Sequence, residues 1–242
     1  MFEILQEFNK SAYTALLYGE AGIGKTSFAT WSQRPLVFNL ENGMKGIDLK
    51  TRKAFATSVI TDWGEFLKGL NQFGSQKKFD TAVIDTVSRL EDMMIATVCF
   101  EGKKASLADF AYGAGYGKFT ALASVLTETM DSLKLAGKNV ILIAHEKIET
   151  FQDPESEAYD RFTCALDKRI AEKIKANVDY IFHMKQEKTI KEQGTRNQAK
   201  HRNRILIQTK SSGGIVAKSR GEMEQFLEVK NDSSASDIWN IC

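Results

Sequence analysis

Residues 19–26 read Gly-Glu-Ala-Gly-Ile-Gly-Lys-Thr and meet the pattern G-x-x-x-x-G-K-[ST] at every fixed position. The octet follows an apolar run, residues 13–18 (YTALLY), and opens a segment of helical period, residues 25–32. A strand that turns through glycines straight into a helix constrains the fold strongly, because it belongs to sheets whose faces are covered by helices. Glycines let the backbone curl so that successive N–H groups face one concavity, where they and the helix N-terminus bind phosphate oxygens. Gly19, Glu20, Ala21, Gly22, Ile23, Gly24, Lys25, Thr26 and Ser27 are therefore the predicted nucleotide-binding segment. Lys25 is placed to reach the β- and γ-phosphates of ATP, and the Thr26 hydroxyl to ligate Mg2+.

The rest of the chain repeats this alternation. Short apolar runs at 35–40 (PLVFNL), 79–85 (FDTAVID), 139–145 (NVILIAH), 180–185 (YIFHMK) and 204–209 (RILIQT) read as buried strands. Segments 61–73, 87–100, 119–135 and 166–175 read as helices. The predicted fold is α/β: a mainly parallel sheet flanked by helices, with a C-terminal β-hairpin extension. Two prolines and no Gly/Ser-rich linker leave no boundary, so residues 1–230 are read as one domain and 231–242 as a tail, loose or docked on a neighbour. With 43% hydrophobic and 26% charged residues in 242, the chain is not disordered, and a formal charge of +2 points to no charged partner by itself. Cys99, Cys164 and Cys242 are too dispersed for a metal cluster or disulfide framework and read as reduced thiols. No basic leader opens the sequence and no run of about 18 apolar residues occurs, so a cytoplasmic location without membrane contact is expected.

A nucleotide site needs a carboxylate for the magnesium shell, and Asp85 stands at the tip of the 79–85 strand. Thr86 after it either positions the γ-phosphate or caps the next helix. Hydrolysis also needs a group that orients or deprotonates water. Glu41 is the candidate, since it follows the 35–40 strand and a parallel sheet brings strand C-termini to the P-loop edge; the other reading is that it merely opens the Glu-Asn-Gly turn. His145, a polar residue ending the apolar 139–144 run, is read either as a γ-phosphate sensor or as a structural histidine.

The ordered set GEAGIGKT, VFNLENG, DTAVIDT and VILIAHE resembles the ATPase core of the RecA-like recombinases, most of all phage-type nucleotide-binding proteins made of that core alone. The resemblance covers residues 13–220. It implies that Glu41 activates water and that His145 is the sensor. It also implies single-stranded-DNA contacts through residues 102–118 and 146–163. The first loop mixes Lys103, Lys104 and Lys118 with Phe110, Tyr112 and Tyr116, a combination suited to base stacking beside phosphate contacts, although each aromatic is read equally as core. The second departs from expectation: residues 149–160 hold five acids and no base. Residues 185–220 hold ten bases and two acids, a candidate basic surface or an ordinary solvated hairpin.

Related oligomers use a K-x-R pair on the ATP of the adjacent subunit, which falls here on Lys218 and Arg220. Generic phosphate contact and plain solvation are the other readings of that pair. The finger reading requires self-association into a ring or filament. Together these readings predict a DNA-stimulated ATPase acting in annealing or strand exchange. A switch or loader docking on a single-strand-binding or replication protein is the alternative. A small-molecule kinase is disfavoured, since no compact arginine-rich lid is visible.

Overall fold

The computed structural model describes residues 12–153, 157–193, 196–230 and 232–242, without the side chains of 188–193, 196–203 and 241. In chain order the strands and helices are β1 (Thr14–Gly19), α1 (Lys25–Ala29), β2 (Pro35–Asn39), β3 (Phe55–Ala56), α2 (Trp63–Phe73), β4 (Thr81–Asp85), α3 (Val87–Gly102) and α4 (Ala114–Leu135). Then come β5 (Asn139–Phe151), β6 (Tyr159–Cys164), α5 (Lys168–Asn177), β7 (Tyr180–Gln193), β8 (Arg196–Gln208), β9 (Phe226–Val229) and α6 (Ala235–Ile241). The sheet runs β3-β2-β4-β5-β1-β7-β8-β9, with β6 paired to β5. Pairing is parallel from β3 through β7 and antiparallel at β5–β6, β7–β8 and β8–β9. This is the α/β P-loop NTPase fold with the antiparallel C-terminal extension that the sequence predicts.

Local chemistry explains the helices. Asp62 accepts the Glu65 N–H at 2.9 Å and starts α2, whose Trp63, Phe66, Leu70 and Phe73 recur at helical spacing and are buried. Thr86 accepts the Arg89 N–H at 3.2 Å and starts α3. Both sheet faces are covered, which is why β1 and β4 are apolar almost throughout. One face packs Leu16, Phe38 and Leu142 under α2, α3, α4 and α5; the other packs Leu17, Ile141 and Phe182 under α1 and α6. Among the described residues no helix is long and apolar enough to cross a membrane.

Four sequence expectations need correction. The 149–160 stretch is not a plain loop: β5 runs on to Phe151 and pairs antiparallel with β6, because alternation in HEKIETF continues the strand beyond its apolar part. Arg161 in β6 also reaches back to Glu149 at 2.7 Å, so the negative charge is partly matched. Residues 102–118 contain two 3-10 turns, Leu107–Asp109 and Ala111–Gly113, and the first turn of α4. Phe110 and Tyr116 pack against the core, with Phe110 lying on the backbone of Gly102 and Gly115. The segment around Lys218 is not a regular strand: Lys218 makes one isolated bridge, to Ile181, so spacing by two does not place Lys218 and Arg220 on one strand face. Finally, the tail is neither loose nor left for a neighbour. Trp239 of α6 is 3% exposed, stacks on Phe28 of α1 with centroids 4.6 Å apart and donates its indole N–H to the Phe28 carbonyl at 3.0 Å. Of the predicted charge shifts, Glu155 and the side chains of Lys188, Lys191, Glu192, Arg196, Lys200 and Arg202 lie outside the described residues.

Candidate functional site

Sheet register brings the chemistry to one edge. Gly19 pairs with His145, Asp85 with Ile143 and Asn39 with Asp85, so the P-loop, Glu41, Asp85 and His145 all follow the C-terminal ends of adjacent parallel strands. Gly19 closes β1 where a side chain has no room: a Cβ there would sit 2.3 Å from the Met184 carbonyl oxygen of β7. The chain then enters α1 through Gly24 at φ 103, a left-handed conformation that favours glycine.

Lys25 is 6% exposed, and its Nζ donates to the Gly19 and Glu20 carbonyls, both at 2.8 Å. Burial lowers the ammonium below its ordinary range, against the pull of the Asp85, Glu146, Glu41 and Glu20 carboxylates. Next to it, the Thr26 hydroxyl donates to Asp85 Oδ2 at 2.8 Å. Burial raises the Asp85 carboxyl, and the nearby Glu41 charge adds to that, while the Thr26 bond, Lys25 and His145 oppose it. Among the described residues no group of three or more His, Cys, Asp or Glu is arranged around a metal. The Thr26 hydroxyl and Asp85 carboxylate instead fit a hard cation that keeps waters and phosphate oxygens as its remaining ligands, the habit of Mg2+.

Glu41 sits one residue beyond Leu40, whose N–H bonds to the Asp85 carbonyl at 2.8 Å. Its carboxylate accepts a short hydrogen bond from Thr86 Oγ1 and lies 3.5 Å from His145 Nε2. Thr86 thus does two jobs, capping α3 and holding Glu41. Ser27 lies on α1 and lines a recess of about 300 Å3 with Gly22, Gly24, Ile205, Val229 and Lys230, immediately beside the loop. Lys25, Thr26, Asp85, Glu41 and His145 are thereby assembled within one chain.

Lys218 and Arg220 are elsewhere. Lys218 Nζ donates to the carbonyls of Val178 at 2.6 Å, Lys175 at 3.2 Å and Ala176 at 3.4 Å, closing the C-terminus of α5. Arg220 Nε is 2.9 Å from Asp179, which also binds Lys134 and accepts the Thr14 N–H at the start of β1. That is the sheet edge opposite the P-loop, separated from it by the six residues of β1, about 17 Å of strand. Of the loop aromatics only Tyr112 projects fully into solvent. Lys118 lies over the Phe110 ring and Arg169 over Tyr116. In the basic segment, Lys185 donates to Gln208 and Arg204 pairs with Glu228.

One pair escaped the sequence reading. His183 is 2% exposed near the start of β7, and its Nε2 is 2.8 Å from Glu146 Oε2. The signal was a single polar residue inside the apolar run YIFHMK.

A protein-family model described as an AAA domain matches residues 11–221. No curated protein matches the chain.

Proposed function

The chain belongs to the AAA-domain family of nucleotide-hydrolysing P-loop ATPases, and on that premise we propose that it is a magnesium-dependent ATPase that binds single-stranded DNA and promotes annealing or strand exchange in recombination. The observation that carries the hydrolytic part is the Glu41 carboxylate, held by Thr86 and His145 at the strand edge that also bears Lys25, Thr26 and Asp85. Lys25 exchanges its two loop carbonyls for phosphate oxygens when ATP enters. Thr26 and Asp85 would hold the magnesium, which would supply charge neutralisation at the terminal phosphates. Glu41 orients a water and takes its proton as the water oxygen attacks the γ-phosphorus. The bond from that phosphorus to the β–γ bridging oxygen breaks, and ADP and phosphate leave. His145 responds to the loss of the γ-phosphate through its contact with Glu41.

Support for DNA comes from the RecA-like motif order and from exposed Tyr112, which shares the 102–118 segment with Lys103 and Lys104. DNA contact through phosphates makes affinity fall with salt, while stacking on Tyr112 keeps it indifferent to sequence. Assembly into a ring or filament on the strand follows from the same likeness. The acidic composition of the β5–β6 hairpin favours a second reading, an ATP-driven switch or loader that docks on a replication protein.

Steady-state hydrolysis with and without a long unstructured single strand, blanked with Lys25→Ala, tests both. DNA stimulation that fades as salt rises is the expected result; turnover indifferent to DNA, with no salt-dependent binding, removes the DNA reading in favour of the loader. Glu41→Gln should keep nucleotide affinity and lower turnover by about 10²-fold or more. Unchanged turnover in that variant removes Glu41 from the role of base.

A further inference from the structure

The end of β5 is shared by two carboxylate–imidazole pairs on opposite faces. Parallel pairing with β1 stops at His145, and antiparallel pairing with β6 starts at Glu146. Successive strand residues point to opposite faces. His145 accordingly meets Glu41 on the nucleotide face, at 3.5 Å, and Glu146 meets His183 on the other, at 2.8 Å.

The second pair is built into the fold. The His183 ring lies between Tyr18, 4.8 Å away between centroids, and Phe162, 5.5 Å away. Tyr18 is the strand residue immediately before Gly19, and it pairs in register with His183. Phe162 belongs to β6, so the ring touches both the root of the P-loop and the hairpin. Burial lowers the imidazole's proton affinity against the pull of Glu146, which favours a neutral ring donating Nε2–H to an acceptor-only carboxylate. Nδ1 is buried with no partner among the described residues, so the hydrogen bonding of the ring goes to Glu146.

Packing does not substitute for this bond. Beside the pair, at the P-loop edge, lies a cavity of about 460 Å3 lined by Glu20, Ile23, Glu146, Phe162, His183 and Ile215, among others. With that space open, the strand end at His145–Glu146 is held by the β1 and β6 ladders, by the Ala165 N–H on the His145 carbonyl at 2.7 Å, and by the pair itself. Glu146 also lies close enough to Lys25 for its charge to act on the ammonium.

We propose that Glu146 and His183 are positioning residues for hydrolysis: their hydrogen bond sets the strand end that carries His145, fixes His145 against Glu41, and joins the nucleotide face of β5 to the β5–β6 hairpin. This rests on the reading of Glu41 and His145 as hydrolytic residues. A tilt of the peptide between residues 145 and 146 moves both side chains at once, in opposite directions from the sheet. Misplacement by about 1 Å at such a site is enough to cost about 10²-fold in rate, so a weakened anchor is visible in turnover before it is visible in binding.

The test uses full-length protein with 15N-labelled histidine. The sequence has three histidines, so the His145 ring is assignable by substitution. His183→Phe keeps a flat ring between Tyr18 and Phe162 and removes the donor; His183→Gln keeps an N–H for Glu146. In His183→Phe the His145 ring resonances should move and kcat should fall about tenfold, with ATP affinity within about twofold of the parent. His183→Gln should restore most of both. Glu146→Gln/His183→Phe, which strands no carboxylate, guards against a variant that fails to fold and should show the same His145 displacement. Unmoved His145 resonances in the folded variants overturn the proposal, whatever the turnover. If Glu41→Gln hydrolyses normally while His145 still moves in His183→Phe, the positioning link stands and the hydrolytic reading fails.

Discussion

Replacing Trp239 tests whether the nucleotide-binding helix depends on α6. The five residues of α1 make less than two turns and have no stability of their own in water, so their orientation comes from what they pack against. Trp239 supplies much of that packing: it stacks on Phe28 at 4.6 Å, lies parallel to Tyr13 at 5.9 Å with 4° between planes, and meets Phe182 at 6.1 Å. Truncating a buried aromatic of this kind costs about 3–5 kcal/mol. Trp239→Phe removes the hydrogen bond, worth about 1 kcal/mol, together with part of the buried ring; the Phe28 carbonyl keeps a second donor, the Trp31 N–H at 3.1 Å, so it is not left bare. Urea unfolding of Trp239→Ala should therefore show a loss of about 3–5 kcal/mol and Trp239→Phe a smaller loss of at least about 1 kcal/mol. ADP titration should show weaker binding in the alanine variant, because Lys25 and Thr26 ride on the same helix as Phe28. A loss under about 1 kcal/mol in Trp239→Ala would refute the packing argument. A full loss of stability with unaltered ADP affinity would refute the link from α6 to the phosphate site.

Three further outcomes follow from the geometry. Gly19→Ala drives a methyl into the Met184 carbonyl and should lower stability by at least about 1–3 kcal/mol and abolish nucleotide binding, read by thermal melting and titration; a neutral effect contradicts the β1–β7 register. Asp179 is buried, which raises its carboxyl, but the Lys134 bond, the Thr14 N–H and the Lys134 and Arg220 charges prevail and hold it below the ordinary value. Its contribution is thus present above about pH 4 and lost as pH falls through the folded value, so Asp179→Asn should cost about 3–5 kcal/mol at neutral pH and flatten the acid limb in urea melts taken against pH. Tyr112→Ala should weaken single-strand binding by about 1–3 kcal/mol in anisotropy titrations and leave the melting curve unmoved, since the ring is fully exposed.

The parallel core was legible because its strands are buried on both faces and read as unbroken apolar runs; the P-loop followed from its glycine-lysine pattern, and Asp85, Glu41 and His145 from strand ends meeting at one edge. Where a strand leaves that core the signal changes. The outer part of β5, HEKIETF, alternates instead of running apolar, so its pairing with β6 was hidden and its acids read as a loop. The two residues of β3 are too few to carry any period. Composition also cannot tell a stacking aromatic from a wedge: Phe110, Tyr112 and Tyr116 look alike in sequence, and only packing separates exposed Tyr112 from the other two. Trp239 was visible as an apolar residue in a polar tail, but nothing in the tail reveals that its partner is 211 positions away.

Lys218 and Arg220, alike in sequence, are unequal in the fold, and this bears on any action across an interface. Lys218 holds three carbonyls at the end of α5, and drawing it away leaves that helix terminus uncapped. Arg220 has a side chain 63% exposed and, among the described residues, one ion pair, and Asp179 keeps Lys134 and the Thr14 N–H if Arg220 swings out. The cost of releasing a pair so open to solvent is small. If a finger acts in trans, as the RecA-like resemblance implies, reach toward a neighbour's γ-phosphate would fall to Arg220, with Lys218 fixing the segment that carries it. Because Arg220 stands at the sheet edge opposite its own P-loop, a neighbour would have to present its P-loop edge to the other end of this sheet. Such a contact is head-to-tail, and repeating it closes a ring or extends a filament; a two-fold dimer does not satisfy it.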